Sequence, residues 1–513
     1  MKQQSLLEGA LILTVSGFIN RILGFILRIL IVRQIGDEGL GLFQMVYPIY
    51  ITLLLLGTAG FPAAIAKLIP ERLTVNNKTG AFNYFKITII TVGTISTLLS
   101  LTLFSTARYI STTILSDPRT FYPFMGLIPA LIICPLSSGF KGFFQGYRTM
   151  IPTAVSQFTE QTSRLGATLA ILSIISHLKI RYQATGIALG ISIGEAAGLL
   201  ILIYIFICQT SQHNILPEKI TDISEGFLKD IKEISSLALP ITAGRIINSL
   251  MQTGEAIIIP KQLQLKGHSI NTATSLYGQL SGMVIQVIGL PTVITIALAT
   301  SLIPSISKAH SSGNKMKIQK NFSDILKISS ILGIIATVIF ISKGKEICNL
   351  LFGHPEAGIL LSGLTFSAPF IYFLHLSSGM LNGLGHPGLS VRNITIGSLL
   401  KLLAIYFLTP HPAFGIRGVL IGITAGCIIS ALLNFLTIGS IIGFNFNKKL
   451  IFIKPMVAGI ITWLFNPLFS DLKNVFPEKI YSLIVLILIT VIYFLILIIT
   501  GVITKKDLER FKR

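Results

Sequence analysis

Acidic residues are scarce in this chain. Its 513 residues hold 20 Asp and Glu against 41 Lys and Arg, and charged residues make up only 12% of the whole, about half the share of an ordinary soluble domain. Cysteine is rarer still: Cys134, Cys208, Cys348 and Cys427 lie far apart in or beside apolar runs, without CxxC or metal-ligand spacing. They read as inert thiols, and no metal site is expected. No P-loop, zinc motif or hydrolase triad is present, so ATP use and hydrolytic chemistry have no carrier, and no catalytic residue or cofactor is assigned. Long polar stretches are missing as well. At about 20–25 residues per membrane span, the apolar runs leave only short loops, which excludes a receptor ectodomain, a cytosolic kinase or ATPase module, and a large extracytoplasmic catalytic domain.

What is present is apolar helix. Hydrophobic residues make up 52% of the chain and mean hydropathy is +0.77. The expected fold is an all-α integral membrane protein of about 14 transmembrane helices. The first seven spans are Leu6–Val32, Leu40–Ala66, Ile87–Phe104, Phe121–Phe140, Ala154–Ile175, Ala184–Ile207 and Ile234–Ile259. The remainder are Leu276–Leu302, Ile325–Ile341, Ile359–Leu381, Ile394–Leu408, Val419–Ile442, Leu450–Leu464 and Ile480–Ile503. The runs are continuous and lack polar alternation, which favours helices over barrel strands. The first run carries Asn20, Arg21 and Arg28 and has no small-residue cleavage site, so no signal peptide is expected.

The net charge of +21 points to cytoplasmic loops rather than nucleic acid. With the N-terminus inside, Lys and Arg favour the inner side by roughly two to one, which places both termini in the cytoplasm. Between Lys219 and Glu233, Ile220, Ile223, Phe227 and Ile231 recur at helical spacing. That loop reads either as an amphipathic helix on the inner membrane face or as a plain solvated linker. Two segments echo each other: Gly142-Phe-Phe-Gln-Gly146 with Pro152, and Gly379-Met-Leu-Asn-Gly383 with Pro387. They close the fourth and tenth spans, and an even offset of six helices implies parallel repeats about an axis along the membrane normal. The expected division is therefore 1–208 (first six-helix lobe), 209–233 (linker), 234–446 (second six-helix lobe) and 447–513 (two added helices and a basic tail).

A charge at a helix centre costs about 2.5–3.5 kcal/mol on insertion scales and is a functional hypothesis by default. Eight stand out: Arg21, Arg28, Glu160, Arg164, Glu195, Arg245, Glu255 and Lys401. Gly17, Arg21, Gly24 and Arg28 form one stripe on the first span. Arg245, Asn248, Gln252 and Glu255 form another on the seventh, and Gln157, Glu160 and Arg164 a third on the fifth. Guanidinium groups keep their charge and grip phosphate oxygens bidentately. Arg21, Arg28, Arg164 and Arg245 are therefore the candidates for holding an anionic, phosphate-bearing substrate. Asn20, Gln157, Glu160, Asn248, Gln252, Glu255 and Lys401 are candidate cavity polar or ion-pair residues. Structural readings stand beside these. Glu160 and Arg164 are spaced for an i,i+4 ion pair, Arg28 and Glu255 lie close enough to an interface to snorkel, Glu195 can serve a neighbouring helix, and Lys401 is isolated.

The stretch Gly17-Phe-Ile-Asn-Arg-Ile-Leu-Gly-Phe25, then Arg28 and Arg33-Gln-Ile-Gly-Asp-Glu-Gly-Leu-Gly-Leu-Phe43, carries a resemblance. So do Phe61-Pro-Ala-Ala-Ile-Ala-Lys67, Pro152-Thr-Ala-Val-Ser-Gln157 with Glu160-Gln161 and Arg164, Gly289-Leu-Pro291, and Leu302-Ile-Pro-Ser-Ile-Ser307. Together they resemble the stage V sporulation protein B-like and lipid II flippase-like branch of the multidrug/oligosaccharidyl-lipid/polysaccharide exporter superfamily. The resemblance implies fourteen helices, two six-helix lobes around a V-shaped central cavity, and alternating access. It further implies a multi-pass protein of the bacterial cytoplasmic membrane that moves an undecaprenyl-pyrophosphate-linked precursor or another lipid-linked saccharide. Spore-cortex or other cell-wall synthesis machinery would be its partner, the protein acting as a monomer among membrane lipids, with transport driven by the membrane potential or an ion gradient. Arg21 matches the first-helix arginine these flippases use near the pyrophosphate. Their second first-helix arginine falls where this chain has Leu27, and their second-helix arginine has no counterpart between Leu40 and Ala66. Some relatives bind sodium through acids on the seventh and eleventh helices; here the eleventh carries Lys401 instead, a candidate replacement for a bound cation. A multidrug/cation antiporter fits less well, because its substrates call for carboxylates where the first span offers arginines. A membrane glycosyltransferase would have only Asp37-Glu38 as an acidic loop pair, which also reads as a solvated turn.

Overall fold

The computed structural model describes residues 4–213, 227–444, 446–469 and 476–504. Most of the expected linker 209–233, and the basic tail from Lys505, lie outside them. Among the described residues the fold is helical, without strands. The first helix starts on a reciprocal cap, in which the Ser5 side chain accepts from the Glu8 amide (3.2 Å) and the Glu8 carboxylate accepts from the Ser5 amide (2.9 Å). Helix α1 (Leu6–Thr58) breaks at Gly36, whose φ of 70° and ψ of −171° suit a residue without Cβ. Helices α2 (Phe61–Thr74), α3 (Lys78–Tyr109), α4 (Phe121–Gly146), α5 (Ile151–Ile174), α6 (Ile180–His213), α7 (Phe227–Leu265) and α8 (Ile270–Tyr277) follow. After them come α9 (Ile285–Gly289), α10 (Thr292–Ser311), α11 (Lys315–Phe352), α12 (Ala357–Leu364), α13 (Ala368–Gly383), α14 (Pro387–Leu408), α15 (Ile416–Ile442), α16 (Lys454–Leu464) and α17 (Glu478–Ile499).

Eleven of the described helical runs are long and apolar enough to cross a membrane, or twelve if the bent pair Phe227–Pro240 and Thr242–Leu265 counts as one span. The chain is a multi-pass membrane protein, and the count of fourteen is not confirmed. Two features account for the shortfall. The first two expected spans lie in one continuous run, Glu8–Thr74, and α5 is too polar, interrupted by Gln157, Glu160, Gln161 and Arg164. The eighth expected span, Leu276–Leu302, is corrected too: the chain breaks around Gly289–Pro291, between α9 and α10.

By packing, the described residues fall into two units. One runs to Lys261 and takes in Ser269–Gly278; the other comprises Gln262–His268 and the chain from Gln279 onward. Helix α7, expected to open the second lobe, is thus packed mainly with the first unit. Two contacts show why: the Thr52 hydroxyl pairs with Ser249 (2.8 Å) and Thr253 (2.9 Å), and Arg72 pairs with Glu233 (3.1 Å).

Inside each unit the same helix pairings recur. In the first, α4 packs on α2, α3 and α6, and α5 on α6; in the second, α13 packs on α10, α11 and α15, and α14 on α15. The sequence echo lies at the heart of this pattern. Gly142 and Gly146 form a small-xxx-small face, where a Cβ on Gly142 would lie 2.5 Å from the Pro62 carbonyl oxygen and one on Gly146 would lie 2.8 Å from Ile69 Cβ, both on α2. Gly379 and Gly383 repeat this against α10, with Cβ positions 2.8 Å from Ala299 Cβ and 2.9 Å from Ile306 Cβ. Lipid offers little hydrophobic drive for helix association, so close backbone approach through small residues carries it. In the second unit, α16 and α17 pack on α11 through Ile331, Ile335, Val338, Ala458, Val485, Ile489 and Tyr493.

The close approach at Gly142 gives a direct test. Replacing Gly142 by Leu forces α4 off α2, and overpacking of this kind typically costs about 1–3 kcal/mol. In contrast, Gly17 has nothing within 4 Å of a Cβ position. In thermal melts of the detergent-solubilised protein, Gly142→Leu lowers the midpoint by several degrees while Gly17→Leu leaves it near wild type; equal midpoints for the two variants would contradict this packing.

Candidate functional site

The arginine stripe of α1 runs beside α5. The Ser16 hydroxyl donates to Gln157 Oε1 (3.2 Å), and a Cβ on Gly24 would lie 3.5 Å from Gln161 Nε2, so the glycine admits the glutamine amide. Asn20 is partly buried, its Oδ1 without a partner. Arg21 is exposed and has no ion pair with any described carboxylate. Arg28, at the other end of the stripe, is half-buried, and Tyr47 lies within electrostatic reach of both Arg28 and Arg164.

Arg164 is differently placed. One of its nitrogens, Nη2, donates to Glu160 Oε1 (2.7 Å) on its own helix and to Glu195 Oε1 (2.9 Å) on α6. Lys141 Nζ on α4 donates to Glu160 Oε2 (3.2 Å). Glu195 is buried, at 6% exposure, and its Oε2 and the Arg164 Nε have no partner. Glycine makes the approach of α6 to α5 possible: a Cβ on Gly194 would lie 2.7 Å from the Glu160 carbonyl oxygen. The ion-pair spacing of Glu160 and Arg164 is thus realised and extended across three helices. Arg164, one of the four phosphate-grip candidates, is already shared by two carboxylates.

Lys141 escaped the sequence reading because the apolar run stops at Phe140, although the helix continues to Gly146. The available signal was the helical continuation through Gly142-Phe-Phe-Gln-Gly146. Asp37-Glu38 was expected as a turn pair; instead Glu38 pairs with Arg119, which also pairs with Asp117 Oδ2 at 2.7 Å. The buried Asp117 in turn accepts from Thr274 Oγ1 of α8 (3.0 Å). Asp37 Oδ1 accepts from the Ser275 hydroxyl (3.3 Å).

On α7, Ser249 and Thr253 face α1, and the expected polar stripe flanks them. Arg245, Asn248 and Gln252 are exposed and Glu255 is half-buried; Arg245, like Arg21, has no ion pair with a described carboxylate. Every candidate on α1, α5 and α7 belongs to the first packing unit. Lys401 does not. It is half-buried on α14 of the second unit, where its Cβ would lie 2.6 Å from a Cβ on Gly426 of α15. The second unit ties α13, α14 and α15 together differently: Asn393 Nδ2 donates to Asn434 Oδ1 (3.0 Å) and Thr437 Oγ1 (2.9 Å), and Asn434 Nδ2 donates to Ser377 Oγ (3.0 Å).

Comparison with known proteins adds an independent line. Residues 6–268 match the family model described as polysaccharide biosynthesis protein, and residues 270–360 match the model of the lipid II flippase MurJ. Stage V sporulation protein B of Bacillus subtilis (strain 168) is 30% identical over 459 residues, covering 88% of this chain and 86% of that protein. The lipid II flippase MurJ of the same organism is 25% identical over 418 residues, covering 78% of this chain and 76% of that protein. Among solved structures, a lipid II flippase MurJ in an inward closed conformation aligns with a TM-score of 0.69 at 14% identity, covering 94% of this chain and 97% of that one. An inward-facing multidrug resistance MATE transporter aligns at 0.68 and 16% identity, covering 85% and 98%. These structural likenesses show the fold.

The shared arginine makes a prediction of its own. Arg164→Ala leaves Glu195 with no cation bonded to it, and Glu160 with Lys141 alone. Breaking a buried pair in this way typically costs about 3–5 kcal/mol, so thermal melts should show a large loss of stability. Adding Glu195→Gln to Arg164→Ala removes the stranded charge and recovers part of that loss; a double variant no more stable than the single one would refute the pairing.

Proposed function

The chain belongs to the polysaccharide biosynthesis protein family, and from that premise we propose that it is a flippase, moving a lipid-linked saccharide across the membrane by its diphosphate headgroup. It acts as a transporter and not as an enzyme. The observation that carries this reading is the state of its arginines. Arg164 is held by two carboxylates, whereas Arg21 and Arg245 are exposed and unpaired with any described carboxylate. An unneutralised guanidinium on a membrane helix attracts an anion, and its planar fork suits phosphate oxygens. Arg28 and the amides of Asn20, Gln157, Asn248 and Gln252 complete the polar surface of the same unit.

The finer reading is an undecaprenyl-pyrophosphate-linked peptidoglycan precursor resembling lipid II, exported across the bacterial cytoplasmic membrane with both termini in the cytoplasm. Two of its relatives support this, one a stage V sporulation protein and the other a lipid II flippase; supply of spore-cortex synthesis is part of the same proposal. The inside-negative potential favours outward movement of anions by about 2.3 kcal/mol per charge per 100 mV, which gives the direction without ATP. A different lipid-linked saccharide is the second reading, favoured by the family match over residues 6–268 and by the indifference of a diphosphate grip to the attached sugar. Export of cationic drugs is disfavoured because Glu160 and Glu195 are already engaged by Lys141 and Arg164.

The test is translocation in liposomes. Loss of a charge-assisted contact worth about 1.5–3 kcal/mol corresponds to roughly a tenfold to hundredfold fall in rate. Arg21→Ala therefore slows translocation of lipid II by that factor, Arg245→Ala acts in the same direction, and Arg21→Lys is intermediate. A neutral lipid moves no faster with wild type than with Arg21→Ala. Undiminished lipid II translocation by Arg21→Ala would remove the assigned role.

A further inference from the structure

We propose that Glu195 is a proton-binding site, taking up a proton at Oε2 and sharing it with Glu160. The geometry is that of two carboxyl groups competing for one guanidinium nitrogen. Arg164 Nη2 serves both, Lys141 serves Glu160 only, and Glu195 is left with a buried oxygen that nothing satisfies. The Oε1 atoms of both carboxyl groups are bonded to the same nitrogen, Arg164 Nη2, at 2.7 and 2.9 Å, which holds two like charges close together and favours a proton on one of them. Protonation thus satisfies an atom that the charged form leaves orphaned, and such a pair titrates as a unit.

Packing alone does not call for this chemistry. In the second unit the corresponding helices α13, α14 and α15 are tied by Ser377, Asn393, Asn434 and Thr437, edged by Arg392, in a hydrogen-bonded set without a carboxylate. Neutral amides and hydroxyls suffice to join three helices there, so two carboxylates in the first unit answer another need. The groups facing Glu195 are Glu160 and Arg164 from α5, Lys141 and the Cys134 thiol from α4, and Tyr47 and Tyr50 from α1, with Arg28 beyond Tyr47. With both carboxylates ionised the cluster of Lys141, Arg164, Glu160 and Glu195 is neutral; one proton gives it a net positive charge. An anion held by the α1 arginines then favours proton uptake, and by linkage proton uptake favours holding the anion. This last step rests on the transport reading; the proton site does not.

Infrared difference spectroscopy of the full chain in liposomes tests the site without transport. On going from about pH 9 to about pH 5.5, above the range where ordinary carboxylates protonate, wild type gains a carboxylic-acid carbonyl band. Glu195→Gln lacks that band, and Glu195→Asp restores one. A band that survives in Glu195→Gln, or the absence of any such band in wild type, overturns the proposal, and the wild-type measurement stands even where a variant fails to fold. In the same liposomes, lipid II translocation by wild type changes with pH over this range and loses that dependence in Glu195→Gln. If the band behaves as expected while no lipid moves, the proton site stands and the flippase reading fails; a pH profile unchanged by Glu195→Gln overturns the coupling.

Discussion

The cost of holding charge away from water orders this molecule. Each cation on a membrane helix must be neutralised by the protein, reach water, or wait for a ligand. In the first unit, neutralised and unneutralised cations stand side by side. Arg164 is neutralised by Glu160 and Glu195, Arg119 by Asp117 and Glu38, while Arg21 and Arg245 stay exposed. Lys141 makes a single bond to Glu160, whereas Arg164 reaches carboxylates on two different helices through its one nitrogen Nη2.

Close packing of helices is the condition under which such pairing works. Arg164 can reach Glu195 because Gly194 and Gly198 let the backbone of α5 come against α6, with a Cβ on Gly198 only 3.1 Å from Glu160 Cβ. The same device joins α4 to α2 and α13 to α10. In lipid a short interhelical distance has two consequences at once. It gains dispersion contacts that lipid tails would otherwise supply, and it excludes the lipid that would leave a charged group unsolvated. Glycine placement and charge placement are therefore linked where α5 meets α6, at Gly194 and Gly198.

Much of this was legible before any coordinates. Continuous apolar runs gave a helical membrane fold, the Gly142/Gly379 echo located the repeated helix pairing, and the i,i+4 spacing of Glu160 and Arg164 named an ion pair that forms. What stayed hidden lies between helices. Periodicity reports one helix face at a time, so nothing in the run around Glu195 says that its partner is Arg164 rather than lipid or water. Lys141 was lost for a related reason: hydropathy marks where the apolar run ends, at Phe140, and not where the helix ends, at Gly146. The count of fourteen is not confirmed where hydropathy and backbone disagree, since Gly36 bends the chain inside one apolar run and α5 is interrupted by polar residues.

The two units also separate what a fold demands from what a function adds. Their helix pairings correspond and their glycine contacts correspond, yet the three-helix junction is ionic in one and amide–hydroxyl in the other. A neutral network is the less costly solution to burying polar groups, because each amide can be satisfied without desolvating a charge. The second unit, which uses it, shows that the pairing geometry tolerates that solution. Retaining four charged groups at the equivalent place in the first unit, one with an unsatisfied oxygen, is a departure from minimum cost in the same unit that carries Arg21, Arg28 and Arg245. Where one copy of a repeated architecture departs from the cheaper solution beside its only exposed, unpaired arginines among the described candidates, the departure belongs to chemistry rather than to packing.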